Sequence, residues 1–368
     1  MRNFLSTYRH GYQPEYLQYE IDGGGVQSRI SKKVGQKSCR SNRSSRSEMG
    51  LGGQESTTAE YVCQLPEGSR KVALEELRED DAIREQSLAQ MRDWIDKNVN
   101  IKNCRTDAPF LLRFLRTKKY SVPLACEMLE RYLIVRQLHP DWFQKLDCDD
   151  PEIADIIRSG YLLALPERDS HGRTVIFSCA GRFDPHKYTA AQMIKVHSII
   201  TETLMDEEEN QVNGYTYVND ESGLQMAHVS LFSLTDIRNV IKCIQHSSPM
   251  RHKQNHFLNI SPSAIKLLEF SITFLNEKLK NRILLHKSYD DLYKHVNKKI
   301  LPKEYGGEIP MQEMLDSLMI KLKNRRNVLL ALDDMHIEIS DKYKPFVSEI
   351  NEELGLGVEG TFKKLQVD

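Results

Sequence analysis

Apolar positions recur at helical spacing in a strongly charged background between residues 66 and 140. The clearest segment spans residues 107–120, where Asp107 is a suitable N-cap and the apolar residues share one face. That face comprises Phe110, Leu111, Phe114 and Leu115. A further amphipathic helix is predicted over residues 124–136, and it ends near Pro140 because a proline disfavours helical geometry in the residue before it. The pattern predicts a small all-α unit.

The pattern changes after residue 151, where short apolar runs typical of strands alternate with amphipathic helices. Strands are predicted at residues 161–165, 174–179, 214–219, 256–260 and 283–285. Helices are predicted at residues 189–205, 233–246, 262–279 and, beyond Gly307, up to about residue 332. Strands and helices that alternate with short connections indicate an α/β fold, with a mixed, mainly parallel sheet flanked by helices.

The helix that begins at Ser261 and Pro262 carries two apolar stripes. One stripe consists of Ile265, Leu268, Ile272, Leu275 and Leu279, and the other of Leu267, Phe270 and Phe274. Two stripes indicate a helix that is either fully buried or shared between a core and another apolar partner. Basic residues lie just before the helix and at its end, namely Arg251, Lys253, Lys278 and Arg282. This combination suits a lid at a membrane surface, and a buried helix with a solvated charged end is the other interpretation.

Composition narrows the class of protein without naming a partner. The chain has 368 residues, room for about two domains, and 40% of them are hydrophobic and 28% charged. The formal net charge is −1, and no nucleic-acid partner is expected. No apolar run is long enough to span a bilayer, and the N-terminus lacks the apolar region of a secretory signal. Seven cysteines without a CxxC pair predict neither a disulfide framework nor a zinc site, so a cytoplasmic location is expected.

Residues 1–60 are predicted to form a disordered tail. They are rich in glycine, serine and basic residues and contain little that a core could bury. Contact with anionic lipid, phosphorylation by a kinase and simple solvation all fit this composition.

The familiar motifs of catalysis and cofactor binding are missing. The sequence contains no Walker A, GxGxxG, GxSxG or HExxH motif and no tight Cys/His cluster. No catalytic residue, metal site or cofactor is therefore predicted. The acidic run of residues 206–209 is interpreted as a solvated face. His197 shares a helix face with Thr201, and it is either a satisfied core histidine or a polar anchor in a ligand pocket.

Four segments resemble landmarks of the CRAL-TRIO lipid-binding family, in the same order and with similar spacing. Phe110-Leu-Leu-Arg-Phe-Leu-Arg-Thr-Lys-Lys-Tyr120 resembles the signature of the family's helical N-terminal part. The later landmarks are Gln211-Val-Asn-Gly214, Ser247-Ser-Pro-Met-Arg251 and Ile300-Leu-Pro-Lys-Glu-Tyr-Gly-Gly307. The resemblance implies a helical N-terminal domain over residues 66–140 and a lipid-binding domain, with an apolar cavity and a helical lid, over residues 151–310. Residues 311–368 lie outside the resemblance and are predicted to form a helical and irregular extension.

The resemblance also implies site residues. In tocopherol-carrying members of the family, basic residues near the lid bind the head group of a phosphatidylinositol bisphosphate, and they fall here on Arg251, Lys253, Lys278, Arg282 and Lys118. Pocket-facing serines of those members fall on His197 and Thr201. The expected lid and pocket residues of the helix are Ile265, Leu268, Phe270, Ile272, Phe274 and Leu275. Departures from the family pattern at Asp220-Glu-Ser-Gly223 and Gln254-Asn255 bear on the identity of the cargo.

The function implied is that of a cytosolic carrier. It would hold a small hydrophobic lipid, tocopherol-like or retinoid-like, and dock on phosphatidylinositol bisphosphate membranes, endosomal or similar, for lid-gated exchange. The expected partners are this lipid and the anionic membrane, with no cofactor, and the expected state is a monomer. One alternative is a phosphoinositide-binding trafficking adaptor that transfers no cargo. Another is an enzyme acting on the bound lipid, which the lack of a catalytic motif disfavours.

Overall fold

The computed structural model describes residues 61–351, without the side chains of Ser263 and Asn351. The predicted tail of residues 1–60 and the last part of the predicted extension, residues 352–368, lie outside the described residues.

The N-terminal part of the described chain is helical, as predicted. Its helices are α1 (Glu67–Val72), a π-helical turn (Ala73–Leu77), α2 (Asp81–Lys97), α3 (Ala108–Thr117), α4 (Val122–Leu138), α5 (Pro140–Phe143) and α6 (Pro151–Arg158). The predicted cap of α3 is confirmed, because the Asp107 carboxylate accepts a hydrogen bond from the Phe110 backbone N–H at 3.2 Å.

A five-stranded sheet forms the centre of the molecule. Its strands are β2 (Leu162–Arg168), β3 (Thr174–Cys179), β4 (Tyr215–Asp220), β5 (His252–Leu258) and β6 (Ile283–His286), and they lie side by side in this order. β2 is antiparallel to β3, and the other neighbours are parallel. The predicted mixed, mainly parallel sheet is confirmed. A separate antiparallel pair joins β1 (Ile101–Lys102) to β7 (His336–Ile337).

Helices connect and cover these strands. They are α7 (Ala190–Met205), α8 (Glu208–Asn213), α9 (Met226–Val229), α10 (Leu234–His246), α11 (Pro262–Thr273), α12 (Glu277–Lys280), α13 (Tyr289–Tyr293), α14 (Met311–Leu330) and α15 (Lys344–Asn351). α14 packs against α7 and β2. One hydrophobic core runs through the helical unit, the sheet and α14, and it includes Phe110, Leu163 and Leu315.

Two predicted boundaries near the cavity described below are wrong. β5 begins at His252 and not at residue 256, because the polar residues at its start hide the strand from an apolar pattern. The predicted continuous helix of residues 262–279 is two helices. α11 ends at Thr273, and the Asn276 side chain starts α12 by accepting a hydrogen bond from the Leu279 backbone N–H at 3.0 Å. A capping asparagine favours a new helix start over continuation of the previous helix.

The acidic run of residues 206–209 is not a solvated face, and that interpretation is wrong. Asp206 and Glu208 instead pair with Arg113 and Arg116 of α3, whose side chains are 1% and 0% exposed. Arg113 Nη1 also lies 2.7 Å from Glu202 of α7, and Arg116 Nη2 lies 2.6 Å from Glu79. Such guanidinium groups tolerate burial because several carboxylates surround them.

The same ion pairs perturb Asp206. Burial alone would raise the pKa of this carboxyl, but the guanidinium groups of Arg113, Arg105 and Arg325 hold the pKa below its ordinary value. The carboxylate form is therefore the stable one in the folded chain.

Two buried histidines are neutral at physiological pH. Burial lowers the pKa of His197 to about 4. Burial, followed by the nearby His286 and His295, lowers the pKa of His256 to about 3. His256 Nδ1 lies 2.8 Å from His286 Nε2, so one of these two nitrogens donates to the other.

We predict that Arg113→Ala lowers the free energy of unfolding by about 3–5 kcal/mol, because the variant leaves Glu202 and Asp206 buried without their main partner. Urea denaturation followed by circular dichroism measures this change. The control is Arg158→Ala at an exposed arginine of α6, with an expected loss below about 1 kcal/mol. Equal effects of the two substitutions would show that the buried ion pairs contribute little.

We also predict that stability falls with acidification below about pH 6.5, the ordinary pKa of a histidine in an unfolded chain. Because the folded-state pKa values of His197 and His256 are lowered, their contribution is complete above that pH and is lost toward pH 4 and pH 3. Each histidine should cost about 1 kcal/mol between pH 7.5 and pH 5.5. Urea denaturation at both pH values should show a smaller difference for His256→Gln. An unchanged difference would contradict the assignment.

Candidate ligand cavity and basic cluster

A cavity of about 430 Å³ opens between the sheet and the helices α7, α10, α11 and α12. Its volume falls in the range of small-molecule sites, roughly 300–1,000 Å³. The lining is largely apolar, and it includes Val135, Trp142, Phe143, Met193, Val240, Ile241, Ile244, Leu268, Leu275 and Leu279. The strands contribute a different chemistry, because the side chains that β4 and β5 turn toward the cavity are mostly polar.

Helix α7 forms one wall of the cavity. Thr189 and Gln192 start the helix with a capping box, in which each side chain accepts from the other residue's backbone N–H. One face of α7 enters the core, and the opposite face lines the cavity with His197 and Thr201. His197 Nε2 lies 3.0 Å from the Tyr161 hydroxyl. His197 therefore fits both interpretations, since it has a protein partner and also lines the cavity.

The lid is the segment α11–α12. Among the side chains of α11 that the structure describes, only that of Ala264 is fully buried. Of the six predicted lid and pocket residues, Leu268 and Leu275 line the cavity. The other four, Ile265, Phe270, Ile272 and Phe274, are half-buried and do not line it. Phe270 and Phe274 pack edge to face, with ring centroids 5.0 Å apart.

The predicted cations lie close to one another. We call Arg251, Lys253, Lys278, Arg282 and Lys118 the basic cluster. Burial lowers the pKa of the Lys278 ammonium, and Arg282, Lys119, Arg251 and Lys118 lower it further. Burial also lowers the pKa of Arg282, with Arg251 and Arg173 as the nearby cations. Like charges that affect one another in this way form a positive surface suited to an anion.

Glu76 of the π-helical turn occupies part of the basic cluster. Its Oε2 atom lies 2.6 Å from Arg251 Nη2 and 2.9 Å from Lys253 Nζ. Burial alone would raise the pKa of Glu76, but hydrogen bonds from Lys253 and Arg251 lower it. One carboxylate thus bridges two of the predicted cations.

Gly214 fixes the position of Arg251. Its backbone has a φ of +84°, and a Cβ atom built there would lie 2.3 Å from the Arg251 carbonyl oxygen and 3.0 Å from Lys253 Cγ. Only a glycine allows β4 to begin against β5 in this way. The Gln211-Val-Asn-Gly214 landmark therefore has a physical role beside the cluster.

Arg282 belongs to both features. It lines the cavity beside Leu279 and Ile283, and its guanidinium donates a hydrogen bond to the His252 carbonyl. Sequence reasoning did not select Glu76, Lys119 or Arg173 for this region. A signal existed for Arg173, a basic residue directly after the turn at Asp169–Gly172, but its neighbours across the sheet come only from the fold.

Among residues 61–351, no helix is both long and apolar enough to cross a membrane. The same residues contain no group of three histidine, cysteine or acidic side chains placed to hold a metal ion.

Comparison with known proteins places this architecture in a family. Residues 158–307 match the CRAL/TRIO domain, and residues 80–153 match the Pinta-like UBA domain. Clavesin-1 of Xenopus laevis is 32% identical over 251 residues, which cover 68% of this chain and 75% of clavesin-1. Alpha-tocopherol transfer protein-like of Homo sapiens is 34% identical over 250 residues, which cover 67% of this chain and 72% of that protein. The crystal structure of Sfh5 aligns with 72% of this chain and 98% of its own, at 12% identity and a TM-score of 0.41.

The resemblance that residues 110–120 and the later landmarks carry is thus confirmed. The helical character of the N-terminal unit agrees with the match to a UBA domain, while the predicted limits of the domains stay predictions. The sheet, the cavity and the sequence matches together show that this chain belongs to the CRAL-TRIO family.

Proposed function

We propose that this protein carries a small hydrophobic lipid, tocopherol-like or retinoid-like, and docks on phosphatidylinositol bisphosphate membranes to exchange it. The observation that carries the proposal is the position of Arg282, which lines the cavity and also interacts with Arg251 in the basic cluster. One residue then belongs to the site for the cargo and to the site for the membrane. The name of one relative, alpha-tocopherol transfer protein-like, supports a cargo of this kind.

The energetics of burial require a gate. Transfer of a hydrocarbon from water to the cavity gains roughly 0.8 kcal/mol per CH₂ group, and a long chain gains on the order of 10 kcal/mol. A cargo held this strongly leaves slowly while the cavity is closed. Opening at a membrane overcomes this barrier, because a membrane stabilises the open state.

The lid has the properties of such a gate. Leu268 and Leu275 contact the cavity, whereas Phe270 and Phe274 lie on the half-buried remainder of the segment. At a membrane surface these side chains exchange their partial contacts with the protein for contacts with acyl chains. The loss on opening is therefore small, and the gain on insertion is of similar size.

The basic cluster supplies reversible docking. Each basic residue near an anionic membrane contributes about 1 kcal/mol, so Arg251, Lys253, Lys278 and Arg282 together contribute about 4 kcal/mol. This amount suffices for transient binding and is too small for a permanent anchor. It suits a cytoplasmic monomer that visits endosomal or similar membranes and needs no cofactor and no catalytic residue.

Glu76 sets a threshold for this docking. Two of the four cations already have a carboxylate partner, at 2.6 and 2.9 Å. A phosphate that binds Arg251 and Lys253 has to displace Glu76 from them. A divalent phosphomonoester has more charge than a carboxylate and does so more readily than a monovalent phosphodiester does.

A second candidate is a phosphoinositide-binding trafficking adaptor that moves no cargo. The match to clavesin-1 covers as much of this chain as the match to the transfer protein-like relative, so neither relative is favoured by coverage. Transfer of fluorescent tocopherol or retinaldehyde between donor and acceptor vesicles separates the two. Vesicle binding without transfer of any cargo would favour the adaptor.

We predict that a variant with Arg251, Lys253, Lys278 and Arg282 replaced by alanine loses binding to vesicles that contain phosphatidylinositol bisphosphate. A loss of about 4 kcal/mol corresponds to roughly a thousandfold change in affinity, measured by liposome sedimentation. The control replaces four exposed lysines, Lys187, Lys294, Lys299 and Lys323, and removes the same charge. Unchanged binding of the first variant would refute docking at the cluster.

We predict that Glu76→Gln binds the same vesicles about fivefold more tightly, because the substitution removes one competing charge worth about 1 kcal/mol. Glu75→Gln is the matched control, since Glu75 is exposed and pairs only with Lys71, at 3.9 Å. Sedimentation at several salt concentrations measures both. Equal tightening by the two substitutions would mean that net charge alone, and not the bridge to Arg251 and Lys253, sets the affinity.

A further inference from the structure

The sheet side of the cavity bears a compact polar patch. We call Tyr217 and Asn219 of β4, together with His252 and Asn255 of β5, the polar floor; all four line the cavity. Tyr217 and Asn255 are directly opposite in the β4–β5 pairing. The rings of Tyr217 and His252 have centroids 5.6 Å apart, and Asn219 Nδ2 lies 2.6 Å from Asn255 Oδ1. The four side chains therefore form one surface.

Much of the hydrogen-bonding capacity of this surface is unused. Asn219 is fully engaged, with Ser178 Oγ, Asn255 Oδ1 and the His256 carbonyl as partners. Asn255 uses only its side-chain oxygen, and within residues 61–351 neither its amide nitrogen nor the Tyr217 hydroxyl has a protein partner. His252 Nε2 is buried without a partner.

A further unpaired group lines the same cavity. Ser247, at the end of α10, is 2% exposed, and its buried hydroxyl has no partner within the described chain. Buried polar groups in folded proteins are nearly always paired with protein, water or ligand. Several unpaired groups around one apolar cavity indicate that the occupant of the cavity supplies the missing partners.

The charge of these groups selects the class of partner. Burial, followed by nearby Arg282, lowers the pKa of His252 to about 4, so the imidazole is neutral near pH 7. Asparagine, tyrosine and serine are neutral as well, and they pair with an oxygen that both donates and accepts. An isolated anion or cation would have no counter-charge in the polar floor.

The charged side chains that line the cavity are already engaged. Glu202 lies 2.7 Å from Arg113, and Arg136 lies 2.9 Å from Asp333. Arg282 donates to the His252 carbonyl. None of them offers a free counter-ion to a charged head group.

We propose that the cargo is a long-chain lipid with an uncharged hydroxyl or carbonyl head, and that the polar floor binds this head through Asn255 and His252. The proposal rests on the carrier function above and adds the class and the orientation of the cargo. The head lies against the sheet, and the chain extends toward the apolar side chains of α10 and α11, such as Val240, Ile244 and Leu268.

The test uses three probes with the same chain length: dodecan-1-ol, dodecane and dodecanoate. Equilibrium binding of the radiolabelled probes to the full-length protein gives three affinities. We expect dodecan-1-ol to bind at least about tenfold more tightly than dodecane, and more tightly than dodecanoate. The double variant His252→Leu and Asn255→Leu should bind dodecan-1-ol and dodecane alike, with the dodecane affinity of the wild type.

Two further variants keep the test decisive. Asn324→Leu, at an exposed asparagine of α14, makes the same kind of change outside the cavity and should keep the wild-type preference. If the double variant does not fold, His252→Phe retains an aromatic ring and removes only the ring nitrogens. It should lower the affinity for dodecan-1-ol severalfold and leave that for dodecane unchanged.

The outcomes separate this proposal from the proposed function. Failure of all three probes to bind would overturn the carrier function itself. Equal binding of dodecan-1-ol and dodecane by the wild type would overturn only the assignment of the polar floor, since bound water would then satisfy these groups. Tightest binding of dodecanoate would overturn the uncharged head. A double variant that keeps the wild-type preference would exclude Asn255 and His252 as the groups that confer it.

Discussion

Two fully buried arginines of α3 fix how the helical unit meets the lipid-binding domain. Arg113 and Arg116 reach carboxylates on α7, on α8 and at their junction, and each guanidinium is surrounded by acceptors on more than one element. Removing charge from water is costly, so this arrangement is stable only when all of the elements are in place together. Because α7 is also a wall of the cavity, the geometry of the ligand site depends on ion pairs at its back.

The cavity and the basic cluster are connected by a short stretch of chain. Arg282 follows α12 and precedes β6, so it sits where the lid ends and the sheet begins. A movement of the lid would change the position of Arg282 relative to Arg251, whose backbone is fixed against Gly214. Binding of an anion at the cluster and opening of the cavity are then coupled by geometry, and each biases the other to the same extent.

The sequence predicted the elements better than it predicted their partners. The strand at residues 174–179 matches β3 because β-branched and aromatic residues dominate it, and α3 starts at Asp107 because the cap is a local feature. The split between α11 and α12 was missed, since Asn276 lies within an otherwise continuous apolar pattern. The polar start of β5 was missed for the opposite reason, because His252 and Asn255 face a cavity that no local pattern shows.

The candidate site was predictable to a similar degree. A family resemblance was enough to select the five cations, whereas Glu76 could not be found in this way, because it is 175 residues from Arg251 in the chain. Arg113 and Arg116 were likewise read as surface charges. Burial of a charge depends on partners that are remote in sequence, and these become visible only in the folded chain.

The small buried area of α11 has a consequence for the dynamics of the folded state. Since Ala264 is its only fully buried side chain among those described, release of α11 from the body exposes little new apolar surface. The backbone amides of this helix should therefore exchange with deuterated solvent through local opening, at a much lower free energy than those of α7, which require global unfolding. The molecule would behave as a rigid shell with one loosely attached element, and the stability of that element would vary independently of the rest.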